Sequence, residues 1–336
     1  TDASELSAEE KARRERQRIA GFQGIVEYRW SKDGRYLIFP LDGDIYLYRI
    51  EPAAGQDQVQ RITNTEAFET DPQIAPDGEH IAYIRDQNIY VTHIGSGQER
   101  SLTNSGGDTL RNGMAEFIAQ EEMDRHTGYW WSPDGQKIAF LQVDQSPVPI
   151  TKRYEIEADD IQIIEQRYPY AGADNVHIKL GVVHLSNGHI QWVNSGTEKD
   201  IYLPRVKWLP DSQRLSFQRH SRTQQSLELL ISDIQSADAG TIPSKVLIHD
   251  RSDTWVALHH DLHFLKEQEA LLWTTEQSGF RHIYLYDLNG KKIRDITAGE
   301  WQVDAIESVD ETNGWVYFTA TESSPLERQL YRQSLN

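Results

Sequence analysis

The sequence predicts an all-β chain arranged as a β-propeller, and three observations carry the prediction. A five-residue turn recurs six times, and a short run rich in β-branched and aromatic residues follows each copy. The aromatic share is also high, with 9 Trp, 15 Tyr and 9 Phe in 336 residues. Pro-Asp-Gly presets a tight turn, and the flanking residues suit a pleated, half-buried surface.

The clear copies of the turn are Trp30-Ser31-Lys32-Asp33-Gly34, Ile74-Ala75-Pro76-Asp77-Gly78, Trp131-Ser132-Pro133-Asp134-Gly135 and Trp208-Leu209-Pro210-Asp211-Ser212. Weaker copies stand at Phe264-Leu265-Lys266-Glu267-Gln268 and Ser308-Val309-Asp310-Glu311-Thr312. Their last positions are separated by 44, 57, 77, 56 and 44 residues, close to one blade length apart from the longest interval. The runs that follow include Arg35-Tyr36-Leu37-Ile38-Phe39, Lys137-Ile138-Ala139-Phe140-Leu141 and Arg214-Leu215-Ser216-Phe217-Gln218. In five of the six units another alternating strand comes next, as at Asp44-Ile45-Tyr46-Leu47-Tyr48 and His282-Ile283-Tyr284-Leu285-Tyr286. Strand, turn, strand, polar turn and strand make one propeller blade, and a blade needs neighbours to bury its faces.

Two elements stand outside the repeat. Residues 7–21 predict a short polar helix, with Ser7 and Glu10 as a capping box, Glu9–Arg13 and Glu10–Arg14 as spaced ion pairs, and Gly21 as the stop. The 77-residue interval must hold an insertion, and two alternating stretches, residues 149–157 and 161–168, predict a projecting hairpin arm. An arm of this kind exposes strand edges and apolar residues, so a partner is expected there. The domain reading is a helix over 1–21 and a propeller over 22–336, with the arm at about 149–170.

Charge and composition narrow the function. With 34 Lys+Arg against 52 Asp+Glu the net charge is −18, which repels phosphate backbones and argues against nucleic acid. No run of about eighteen apolar residues occurs, so no membrane-spanning helix is predicted. With no cysteine there is neither a disulfide framework nor a thiolate zinc site, and the compartment stays open between periplasmic or exported and cytoplasmic. The start Thr1-Asp2-Ala3-Ser4-Glu5 lacks signal-peptide character and fits a processed or truncated end. A phosphate loop, a dinucleotide fingerprint, His-Glu-x-x-His and Gly-x-Ser-x-Gly are all absent, so no cofactor, no metal and no hydrolase nucleophile is predicted within these residues. The cluster His259-His260-Asp261-Leu262-His263 falls in an expected strand, where alternation separates neighbours, and reads as ordinary surface histidines rather than a metal site.

One segment breaks the blade rhythm: Ala115-Glu116-Phe117-Ile118-Ala119-Gln120-Glu121-Glu122-Met123-Asp124-Arg125-His126-Thr127-Gly128-Tyr129-Trp130-Trp131. Adjacent carboxylates in a helical stretch repel each other unless cations offset them. Glu121 and Glu122 therefore read either as solvent-facing charges or as a cage for an ammonium group. This segment with its Tyr-Trp-Trp-Ser-Pro-Asp-Gly continuation resembles the propeller of the dipeptidyl peptidase IV family, in the prolyl oligopeptidase clan. Three further stretches agree in order: Val148-Pro149-Ile150, Tyr168-Pro169-Tyr170-Ala171-Gly172-Ala173-Asp174-Asn175, and Gly279-Phe280-Arg281-His282-Ile283-Tyr284. Arg13-Arg14-Glu15-Arg16-Gln17-Arg18-Ile19 is similar to the arginine-bearing segment of bacterial and cytosolic members.

The resemblance implies a serine exopeptidase that releases Xaa-Pro or Xaa-Ala dipeptides from free peptide N-termini. It implies an eight-bladed propeller, of which six blades are recognisable, capping a C-terminal α/β-hydrolase domain that supplies Ser, Asp and His. Glu121 and Glu122 would hold the substrate's ammonium, and one of Arg14, Arg16 or Arg18 would reach its carbonyl oxygen. Phe280 and Arg281 would line the outer substrate pocket, against the alternative of a strand-edge aromatic and a solvent arginine. The arm would make a homodimer, and the chain is expected to be a non-catalytic fragment of a longer enzyme. A free-standing propeller that binds a protein partner is the competing reading.

Overall fold

In the computed structural model, residues 8–336 are described apart from 20, 23, 157 and 235–239, together with the side chains of all but 8–10 and 12 among them. Ser7 of the expected capping box, and the Glu9 and Glu10 side chains of the expected ion pairs, lie outside the described residues. The chain divides into two compact units, Thr1–Asp200 with Ala237–Ile242, and Ile201–Ser236 with Pro243–Asn336.

The first unit opens with helix α1 (Ala8–Arg16). It stops before Gly21 because Arg18 takes the left-handed conformation at φ 59°. The Ile19 amide then donates to the Arg14 carbonyl at 2.9 Å and the Arg18 amide to that of Glu15 at 3.0 Å, a Schellman closure with arginine in glycine's usual place. Next come two four-stranded antiparallel sheets, β1 (Arg29–Trp30), β2 (Tyr36–Leu41), β3 (Asp44–Arg49) and β4 (Val59–Arg61), then β5 (Thr70–Ile74), β6 (His80–Arg85), β7 (Asn88–His93) and β8 (Glu99–Ser101). In the third sheet β9 (Leu110–Asn112) and, beyond helix α2 (Phe117–Glu122), β10 (Tyr129–Trp131) both pair with β11 (Lys137–Asp144). A separate two-stranded sheet, β12 (Ile150–Ile156) with β13 (Ile161–Arg167), forms the arm before β14 (His177–His184) and β15 (Ile190–Val193) complete the third sheet.

The second unit repeats the pattern. Its sheets are β16 (Ile201–Tyr202), β17 (Val206–Trp208), β18 (Arg214–Ser221), β19 (Ser226–Asp233) and β21 (Lys245–Arg251), then β22 (His263–Phe264), β23 (Ala270–Thr275), β24 (His282–Asp287) and β25 (Lys292–Asp295), then β26 (Val303–Asp310), β27 (Trp315–Ala320) and β28 (Gln329–Ser334). The strand between them in sequence, β20 (Thr241–Ile242), belongs to the first unit and pairs in parallel with β15.

Each of the six expected turns joins two consecutive antiparallel strands of one such sheet, β1–β2, β5–β6, β10–β11, β17–β18, β22–β23 and β26–β27, and the chemistry of the first recurs in the third. At Ser31 the hydroxyl donates to Asp33 at 2.7 Å and accepts from the Tyr36 amide, while the Gly34 amide donates to the Ser31 carbonyl at 3.0 Å. Ser132, Asp134 and Gly135 reproduce this set. Positive φ at Gly34, Gly78, Gly135 and Ser212 shows why glycine recurs there, with serine tolerated once.

Within each unit the buried apolar clusters sit between consecutive sheets. Ile38, Ile45 and Leu47 of the first sheet pack on Ile81 and Tyr83 of the second. Ile84, Ile89 and Val91 of the second pack on Tyr129, Ile138 and Phe140 of the third. The second unit does the same, with Leu229 and Ile248 against Leu271 and Trp273, and Leu272 and Leu285 against Val316 and Phe318. Within each unit, burying a sheet face against its neighbour is what makes the repeat necessary.

Candidate functional site

The distinctive element of the first unit is the excursion that carries α2. Strands β9 and β10 lie along one partner, β11, and the chain leaves and rejoins that ladder at a single residue. The Gly113 amide donates to the Leu141 carbonyl at 2.8 Å, and the Leu141 amide to the Gly128 carbonyl at 2.9 Å. An isolated bridge between Met114 and Thr127 seals the neck. Gly128 is required there, because a Cβ would lie 2.4 Å from the Met114 backbone.

Inside the excursion Arg125 is the clasp. Its Nη2 meets Glu116 Oε2 at 2.5 Å, with the two side chains 4% and 1% exposed. Its Nη1 donates to the Thr127 carbonyl at 2.9 Å, and its amide to the Ala119 carbonyl at 3.0 Å. Ala119 and Met123 are buried, so the helix is seated by one apolar face and one ion pair. The neck is tied to β5 through Asp71, which accepts from Thr127 Oγ1 at 2.5 Å and from Arg29 Nη2 at 2.6 Å. Burial holds the Asp71 carboxyl above its ordinary value, opposed by Arg29 and Thr127.

This seating leaves Glu121 and Glu122 exposed at the end of α2. Of the three arginines singled out in α1 and its closing turn, the structure brings Arg16 to Glu121. Its Nε is 3.8 Å from Glu121 Oε1, its Nη1 donates to Gln120 Oε1 at 3.4 Å, and its guanidinium lies 5.0 Å from the Phe117 ring centre. Burial pulls the Arg16 guanidinium below its ordinary value; Glu121 and Glu15 oppose that pull and Arg111 adds to it. Arg14 is half-buried, and Arg18 is exposed and spends its backbone on ending the helix. Gln120, Phe117 and the Glu116–Arg125 clasp were not singled out from sequence; the nearest signal was a run of charges flanked by apolar residues.

Phe280 and Arg281 belong to the second unit, at the turn between β23 and β24. Phe280 is 38% exposed. Arg281 is half-buried, 3.6 Å from Glu276 and donating to the Asp304 carbonyl at 3.4 Å, so it is engaged rather than a free solvent arginine. Within the histidine cluster His260 is exposed and His263 half-buried, and His259 departs from the surface-histidine reading. His259 is buried in the loop before β22, its ring centre 4.4 Å from that of Trp273, and its Nδ1 accepts from the Asp261 amide at 3.2 Å. Burial, with Arg281, Arg205 and His260 adding, pulls its pKa down to about 3. Among the described residues Asp77, Glu79 and His80 bring ligand atoms within 4.8 Å of one another, but Asp77 already accepts the Glu79 amide, and the group reads as turn chemistry.

Repeated antiparallel sheets with a seated acidic helix facing an arginine define a β-propeller domain with a cluster of opposed charges. A family described as the dipeptidyl peptidase IV (DPP IV) N-terminal region matches residues 27–336, and the chain belongs to that family. It is 29% identical over 325 residues to "Probable dipeptidyl peptidase 4" of Aspergillus fumigatus, covering 92% of this chain and 40% of that protein. It is 26% identical over 322 residues to "Dipeptidyl peptidase 4" of Trichophyton rubrum, covering 92% and 39% respectively. The chain thus spans about 40% of the length of these relatives. The crystal structure of Porphyromonas gingivalis dipeptidyl peptidase 4 shares the fold, with a TM-score of 0.82 and 24% identity over 93% of this chain and 45% of that one.

Proposed function

We propose that this chain is the substrate-gating propeller of a serine dipeptidyl peptidase, and that Glu121, Glu122 and Arg16 form the site for the peptide N-terminus. The observation that carries the reading is the charge count on α2. Two adjacent carboxylates stand at the surface, and one guanidinium, at 3.8 Å, offsets one of them. The remaining negative charge suits a monocation. A free α-amine is protonated below about pH 7.7–8.0 and offers three donors, so it can bond both carboxylates. A longer chain end would collide with them, which sets the product at two residues and places the scissile bond for attack.

In the complete protein the Ser, Asp and His would come from a C-terminal α/β-hydrolase domain, and the products would be Xaa-Pro or Xaa-Ala dipeptides. Phe280 and Arg281 would line the outer pocket. The β12–β13 arm would support a homodimer, since Tyr154, Ile156, Ile161 and Ile163 are 61%, 77%, 60% and 58% exposed. The test is kcat/KM on Xaa-Pro amides with Glu121→Gln and Glu122→Gln in the complete protein. Loss of a charge-assisted bond, about 1.5–3 kcal/mol, corresponds to roughly 10- to 150-fold. N-acetylated substrates should be poor and insensitive to the substitutions; unchanged kinetics on the free-amine substrates would remove the ammonium site.

A further inference from the structure

Helix α1, of sequence AEEKARRER, has no apolar stripe, and nine residues of such a helix are marginal alone. Its position therefore depends on what holds its charges. Arg13 forms a two-pronged pair with Glu27, both bonds at 3.0 Å. Arg16 rests on Phe117, Gln120 and Glu121 as described above. The third hold comes from the arm, where Arg153 Nη1 of β12 is 3.7 Å from Glu15 Oε1.

The arm has two faces with different occupations. Strand alternation puts Thr151, Arg153 and Glu155 on one side and Ile150, Lys152, Tyr154 and Ile156 on the other, and exposure alternates in step. The Arg153 face meets α1, and the opposite face carries the exposed apolar residues. The root of the arm reaches the same place by a second route, because Tyr168 packs edge-on against Phe117 with ring centres 5.0 Å apart, and Phe117 supports Arg16.

We propose that Arg153 is a positioning residue for Arg16, acting through Glu15, so that the arm sets how firmly the guanidinium is held against the glutamates. The inference rests on the reading of Glu121 and Glu122 as the ammonium site. It makes the arm a part of the substrate site as well as a surface for another molecule. A partner seated on the Tyr154 face would restrain the arm and, through Arg153, the arginine helix.

The pair is exposed, so its effect is modest: Arg153→Glu or Glu15→Arg in the complete protein should lower kcat/KM on Xaa-Pro amides about two- to fivefold. Because Arg153 Nη2 also donates to Glu155 Oε1 at 2.8 Å, the variants are made in a Glu155→Gln background, where the exchange of both charges, Arg153→Glu with Glu15→Arg, should recover activity to about that of the background, which general damage to the arm would not allow. Mass by light scattering should stay the same across the three variants, because Arg153 lies on the face opposite Tyr154. Glu122→Gln is measured alongside. If it is costly while Arg153→Glu is silent, the positioning role is overturned and the ammonium site stands. If Glu122→Gln is itself silent, both fall. If the single reversals are costly and the exchange does not recover activity, the Arg153–Glu15 link is overturned.

Discussion

The clasp of the α2 excursion makes the sharpest prediction. Arg125 and Glu116 meet at 2.5 Å with 4% and 1% of their side chains exposed, so Arg125→Met leaves a carboxylate buried without its cation. Breaking a buried pair on one side costs about 3–5 kcal/mol. The backbone bonds of the excursion to β11 lie at its neck, so the loss should appear first as local opening of residues 114–127, not as global unfolding. A change of about 3 kcal/mol corresponds to roughly 150-fold faster hydrogen exchange for the amides of Gln120, Met123 and Arg125, which donate to Glu116 and Ala119 carbonyls. Replacing both partners, Glu116→Leu with Arg125→Met, should cost less than either single change, since apolar substitutes for a buried pair are often neutral or better. Exchange measured by mass spectrometry on peptides spanning 114–128 is the assay. Exchange in Arg125→Met within threefold of wild type, or a double variant that costs the sum of the two singles, would refute the clasp.

Two other expectations follow from burial and exposure. His259 has a folded pKa of about 3 against an ordinary 6.5, so the unfolded state takes the extra proton below pH 6.5, and stability present above that pH is lost as pH falls toward 3. The loss should reach about 2 kcal/mol by pH 5, and His259→Gln should flatten that slope in urea unfolding; equal slopes for the two proteins would contradict it. Deleting residues 151–168 should abolish self-association in light scattering, because it removes the exposed Tyr154, Ile156, Ile161 and Ile163; an unchanged mass, or a monomer with and without the arm, would count against the dimer.

What could be read from the sequence was local physics. Ser31, Asp33 and Gly34 satisfy one another within six residues, so their turn is written in the residue order, and the alternating strands beside it have the period of the pleat. The arm was visible for the same reason. The site was only half legible. Gln120 and Arg16 are 104 positions apart, and nothing local says which arginine of α1 will arrive. The helix end was misplaced because Arg18 accepts a left-handed conformation that composition assigns to Gly21. His259 was misread because alternation was applied to a loop: the residue packs on Trp273 by tertiary contact, outside any strand. The clasp was missed because a charged residue is expected at the surface until its partner, nine positions away, is seen to be buried with it.

The two halves of the charged cluster are held with different strength, and that difference has a functional reading. The glutamates ride on a helix fixed by a buried ion pair, a bridge at Met114 and Thr127, and two backbone bonds to Leu141. The arginine rides on a polar helix held by half-exposed or exposed pairs at 3.0, 3.8 and 3.7 Å. Exposed pairs are each worth about 1 kcal/mol or less and weaken with salt, whereas the buried pair is screened much less. Raising ionic strength should therefore loosen Arg16 while leaving Glu121 and Glu122 in place. On the proposed reading of Glu121 and Glu122 as the ammonium site, the carboxylates would set where the ammonium binds, and the less firmly held arginine would adjust to what is attached to it.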